Sequence, residues 1–181
     1  MVSIYDVLDE AIEDLDETEA REAYLNHLKA SFPFILCPQL FVRQQDLPVL
    51  QWVKVKYNDC DTHQFPNQQG VYIFVVSVEG GNLPANSYVM YVGKAGDVDS
   101  DNTIAQRFRN YVNESGYIKR MSIRKMIKHY KEHLYYYYVT IPNGQSTSQV
   151  EQALADIFLP PCCRVDFSAE VRTLLRGARI S

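Results

Sequence analysis

Apolar residues recur at Ile4, Val7, Leu8, Ala11, Ile12 and Leu15 with acids between them. That is helical spacing, and Ser3-x-x-Asp6 supplies a start, so the pattern predicts a strongly amphipathic helix. A second helical stretch runs from about Thr18 to Ala30. Pro33, Pro38 and Pro48 then break the chain into short pieces that contain Phe41-Val42 and Trp52-Val53-Lys54-Val55. Residues 1–57 read as a helical and irregular N-terminal extension, and residues 58–181 as the main domain.

Asn58 to Gln69 is polar and turn-rich, the character of a loop leading into a strand. Val71 to Val78 follows as a continuous apolar run, which predicts a strand buried on both faces. Glu79 to Asn86 connects it to a partner strand, Tyr88 to Gly93, through a link longer than a tight two-residue turn. Ile104 to Val112 is a short helix and Ser122 to His133 a basic one. Leu134 to Ile141 is a third strand, carrying Tyr135 to Tyr138 and ended by Pro142-Asn143-Gly144. A helix from Ser148 to Phe158 stops at Pro160-Pro161, and Ser168 to Arg179 is the last. The expected fold class is α/β (α+β), a small central antiparallel three-stranded sheet flanked by helices.

With 181 residues and 46% hydrophobic content, the chain can bury one sizeable core. No run approaches the roughly 18–20 apolar residues of a membrane span, and the acidic start lacks a signal peptide's basic and apolar regions. A cytoplasmic protein is expected. Cys37, Cys60, Cys162 and Cys163 form no Cys-x-x-Cys pair, which argues against structural zinc and a secreted scaffold.

The net charge of -4 conceals an asymmetry. Residues 1–22 hold nine acids and one base, leaving 17 bases and 13 acids elsewhere. Lys119, Arg120, Arg124, Lys125, Lys128 and Lys131 follow one another with no acid among them, which suits a helix facing phosphates. The same run also suits a solvated helix face.

Two ionic residues fall on apolar stripes. Arg107 shares a helical face with Ile104 and Tyr111, so its guanidinium must meet an acid, a cavity or a bound anion. Glu151 lies beside the inward face marked by Leu154 and Phe158. Ser148-x-x-Glu151 is also a capping box, and Ser146-x-x-Gln149 offers a competing one. His129 and His133 are one turn apart, but no third ligand is spaced to join them.

Gly70-Val71-Tyr72, then Tyr91-Val92-Gly93-Lys94, then Ile104-x-x-Arg107-x-x-x-Tyr111 and finally Glu151 occur in that order. Together they resemble the GIY-YIG nuclease domain, over roughly Gly70 to Cys163. The resemblance implies that the two tripeptides sit on neighbouring antiparallel strands, with a helix bringing the arginine and a later helix the acid. It implies a catalytic set of Tyr72, Tyr91, Lys94, Arg107, Tyr111 and Glu151. Tyr72 would act as general base with Tyr91 in support, and Tyr111 would help orient the nucleophile. Arg107 would hold the scissile phosphate, and Lys94 would bias the Tyr72 proton or touch phosphate. Glu151 would bind Mg2+ or Mn2+. The family's final asparagine falls on Cys163 here, a departure that weakens the brace an amide would supply.

The expected function is therefore a divalent-metal-dependent endonuclease acting on DNA, with Lys119, Arg120, Arg124, Lys125 and Lys128 as further nucleic-acid contacts. The acidic helix Ile4 to Leu15 is a candidate homodimer contact. The alternative is a catalytically weak or inactive module of the same kind that binds nucleic acid or a protein partner.

Overall fold

The computed structural model describes residues 17–79, 84, 86–97, 102–163 and 167–178. The amphipathic segment Ile4 to Leu15 lies outside the described residues, as does most of the Glu79 to Asn86 connection. The chain divides into two compact units, Met1–Pro33 and Phe34–Ser181. The first contributes helix α1, Glu17–Ser31. Among the described residues no helix is long and apolar enough to cross a membrane.

The second unit is mixed α/β, built on a four-stranded antiparallel sheet of strands β1 (Val53–Lys56), β2 (Gly70–Val78), β3 (Asn86–Ala95) and β4 (Leu134–Thr140) in the order β1-β4-β2-β3. This corrects the expected count of three strands. Val53-Lys54-Val55-Lys56 pairs in register with Tyr138 to Tyr135 and forms one edge. It is four residues long and alternates valine with lysine, the short charged form in which an edge strand resists further pairing.

β2 is the centre, and its burial follows from its neighbours. It pairs with β3 on one side and β4 on the other, and Gly70 through Ser77 are all buried. The continuous apolar run thus reports a strand covered on both faces. One face carries an aromatic cluster. Tyr72 and Phe74 share it with their register partners Tyr138, Tyr136 and Tyr91, because directly opposed residues point the same way. Phe65 stacks on Phe108 at 4.4 Å between centroids, and Tyr72 on Tyr136 at 5.2 Å.

Helices α2 (Pro38–Phe41), α3 (Ile104–Val112), α4 (Glu114–Tyr117), α5 (Met121–Tyr130), α6 (Thr147–Phe158) and α7 (Ala169–Ala178) complete the unit. α3 covers the aromatic face and starts with a full capping box. Thr103 accepts from the Gln106 N–H, and Gln106 reaches back to the Thr103 N–H. Its next free amides are met by the loop before β2, Ile104 donating to Gln68 and Ala105 to Pro66. α6 packs along β3 and β2, placing Leu154 and Ile157 near Ile73 on the other face.

Candidate active site

Three phenols meet on the aromatic face. Tyr72 on β2 lies opposite Gly93 on β3, and a Cβ added at Gly93 would stand 2.6 Å from the Tyr72 Cζ and Oη and 2.7 Å from Tyr91 Cε1. Gly93 is therefore the gap into which both rings pack, since Tyr91 precedes it by two positions and shares its face. The Tyr72 hydroxyl bonds to the Tyr111 hydroxyl at 2.7 Å. Tyr111 comes from the last turn of α3, whose end is tied down by Tyr57 donating to the Tyr111 carbonyl at 2.6 Å.

Arg120 completes this group. One guanidinium nitrogen donates to the Tyr111 hydroxyl and another to the Tyr91 hydroxyl, each at 2.8 Å. The guanidinium carbon also sits 5.1 and 5.3 Å from the two ring centroids. A planar fork can bridge two phenols in this way, and the ring faces attract its charge. The sequence groups Arg120 with the basic residues of α5 as a phosphate contact. Instead it stands at the cap position before α5 and turns inward onto the tyrosines.

Burial sets the protonation of the group. Tyr72 is 1% exposed, and loss of solvent raises its pKa well above the usual 10.0, with Tyr111 adding to the shift. Burial also raises Tyr91, although the Arg120 charge works the other way. Tyr72 is thus a neutral phenol that holds its proton more tightly than free tyrosine. That is the reverse of what a general base needs.

A second polar group lies where β3 ends. Lys94 is in register with Val71, so its side chain leaves the opposite face from Tyr72. Its ammonium bonds to Asp97 at 2.8 Å and to the Ser148 hydroxyl, which also bonds to Asp97. Buried Thr147 donates to the Gly96 carbonyl at 2.6 Å, so the start of α6 is fastened to the end of β3 twice. Arg107 donates through Nε to the Lys94 carbonyl at 3.2 Å. Among the described residues Arg107 shows no ion pair with an acid. Arg107 and Tyr111, one turn apart on α3, connect the two groups.

Glu151 is half-buried on α6, one turn after Ser148. The helix is capped by Ser146, whose hydroxyl accepts from the Gln149 N–H at 3.4 Å. Of the two overlapping signals, the earlier one supplies the N-cap, Ser146 rather than Ser148. Among the described residues no group of three His, Cys, Asp or Glu side chains could hold a metal ion, the His129 and His133 pair included. Asp97 is taken up by Lys94 and Ser148. Glu151 fits a magnesium or manganese ion only in the sparse manner these hard cations allow, with one carboxylate, water and a substrate phosphate as ligands.

Cys163 braces β3 after all. Its thiol accepts from the Val92 N–H and donates to the Val92 carbonyl, both at 3.4 Å, and the Cys162 N–H donates to the Met90 carbonyl at 3.0 Å. The segment after Pro160 thus covers the outer edge of the strand that carries Tyr91, Gly93 and Lys94. An amide would make the same pair of bonds more strongly.

The structure brings Tyr72, Tyr91 and Tyr111 into one group bridged by Arg120, and ties the Arg107 side chain to the backbone of Lys94. Asp97, Ser148 and Arg120 were not singled out for these places by sequence. Lys94 and Asp97 are three residues apart, the only local signal for that ion pair. The chain matches no protein-family model, no curated protein and no solved structure.

Proposed function

We propose that the chain is a divalent-metal-dependent endonuclease that hydrolyses phosphodiester bonds in DNA through a GIY-YIG-type site. The supporting observation is the hydrogen-bonded line Tyr72–Tyr111–Arg120–Tyr91, joined through α3 to Arg107, whose Nε donates to the backbone carbonyl of Lys94. Arg107 and Lys94 offset the charge that builds on phosphate oxygens as the bond breaks. Tyr72 and Tyr111 brace the site as a buried hydrogen-bonded pair rather than by taking a proton from water. Glu151 would hold Mg2+ or Mn2+, which polarises phosphate oxygens and acidifies bound water. Lys119, Arg124, Lys125 and Lys128 extend the cationic surface toward flanking phosphates.

Incubation of purified protein with supercoiled plasmid and magnesium or manganese tests this. Cleavage is expected with either cation and none with chelator. Arg107→Ala and Glu151→Ala each lower the rate by on the order of 100- to 1,000-fold, the usual loss of a charge-stabilising group. Full cleavage by either variant refutes the assignment.

One observation favours a second reading, a module that binds nucleic acid without cutting it. Tyr72 is closed off from solvent and its proton is held fast. Salt-sensitive DNA binding with no nicking under any divalent cation identifies that case.

A further inference from the structure

A cavity of about 870 Å³ lies where β2 begins and where β3 and β4 end. Asn67, Gln68, Asn102 and Asn143 line it with carboxamides, while Ile141 and Pro142 give it an apolar wall. Gln69 is not part of the recognition surface. Its amide donates to the Pro142 and Gln145 carbonyls at 2.9 and 3.2 Å, which fixes the turn carrying Asn143. Positive-φ Gly144 lets that turn close.

The cavity abuts Lys94, one of the cations assigned to phosphate. Asp97 lines it and is bonded to Lys94. Thr103 also lines it and is the N-cap of α3, the helix that carries Arg107. A phosphate at Lys94 would place the adjoining nucleoside at this opening.

The lining decides what enters. Each carboxamide offers a donor beside an acceptor, the arrangement that pairs with a base edge, and the Ile141–Pro142 wall suits a base face. Among the described residues Asp97 is the carboxylate in the lining, and Lys94 neutralises it, so a second phosphate gains nothing here. We infer that this cavity receives an unpaired nucleobase adjoining the scissile phosphate; this rests on the nuclease reading above. A base stacked and paired in duplex cannot present its edge and face together, so DNA with an unpaired base beside the cut is the preferred substrate.

The test is metal-free binding in chelator, followed by fluorescence anisotropy. The probes are short labelled single-stranded DNA oligonucleotides that differ at one base, across a salt series. Wild type discriminates its best base from its worst by on the order of tenfold, the scale of one bidentate amide–base pair. Gln68→Ala and Asn143→Ala, both at exposed positions, flatten that preference to below about threefold with the salt slope unchanged. Arg107→Ala instead weakens every oligonucleotide alike and lowers the salt slope by about one. Salt-dependent binding with no base preference in wild type, or preference retained in both amide variants, overturns the base pocket while leaving the nuclease reading intact. Failure to bind or cut any DNA overturns the nuclease reading and takes the pocket with it.

Discussion

Tyr136 and Tyr72 are stacked, fully buried phenols with opposite hydrogen-bonding fates, and substituting each by phenylalanine separates them. Tyr136 is 0% exposed and its hydroxyl finds no hydrogen-bond partner among the described residues. The Tyr72 hydroxyl bonds to Tyr111 at 2.7 Å. Leaving a buried hydroxyl unsatisfied costs about 1–3 kcal/mol, whereas a satisfied one contributes about 0.5–1.5 kcal/mol. Tyr136→Phe keeps the ring and its packing against Phe65, Phe74 and Phe108 while removing the orphan oxygen. It should therefore stabilise the fold by about 1 kcal/mol or more, a rise in Tm of about 2–4 °C for each kcal/mol in a chain of this size. Tyr72→Phe should destabilise by about 1 kcal/mol, because the Tyr111 hydroxyl keeps Arg120 but loses its other partner. Urea and thermal unfolding of the two variants beside wild type measure the difference. If Tyr136→Phe loses as much stability as Tyr72→Phe, the Tyr136 hydroxyl has a bound water or another partner and the reasoning fails.

Three further outcomes follow from the same geometry. Burial raises the folded-state pKa of Tyr72, Tyr91 and Tyr136, so their stabilisation is complete below pH 10 and is lost as pH climbs beyond it, when only the unfolded chain ionises. Each contributes a fall of about 1.4 kcal/mol per pH unit, and a Tm that stays level from pH 9 to about pH 11 refutes this. Gly93→Ala forces a methyl against two buried rings and should cost about 1–3 kcal/mol, read by denaturant unfolding; wild-type stability would show that the rings can retreat. Arg120→Lys keeps the charge but cannot bridge both phenols, so it should lose most of the stability that Arg120→Ala loses, and equality with wild type would show that charge alone suffices.

The parts of this fold that were legible in the sequence are those decided within about ten residues. A nine-residue apolar strand needs cover on both faces, and Gly70–Val78 has it. The short helix Ile104 to Val112 is local, and so is the stop at Pro160-Pro161. What stayed hidden was decided by distant partners. Val53–Lys56 is too short to declare itself a strand, and it becomes one because Tyr135 to Tyr138 offers it a register. Six bases between Lys119 and Lys131 look alike in sequence, yet Arg120 faces two phenols, 9 and 29 residues away. Two caps compete at the start of α6, and the choice falls to Ser146 while Ser148 engages Lys94, 54 residues before it.

Polar partnerships of that range also decide the chemistry. The resemblance to a nuclease motif puts Tyr72 in the role of base, but its burial removes the solvent that would support a phenolate, and Arg120 is spent on Tyr111 and Tyr91 rather than on Tyr72. The phenols therefore bring order to the site and no charge. Positive charge on the side of Lys94 is already balanced by Asp97, which leaves Arg107, held by one backbone carbonyl, as the cation whose interaction with an incoming phosphate displaces least. Arg107 rather than Tyr72 is the residue on which a phosphodiesterase reading of this site stands.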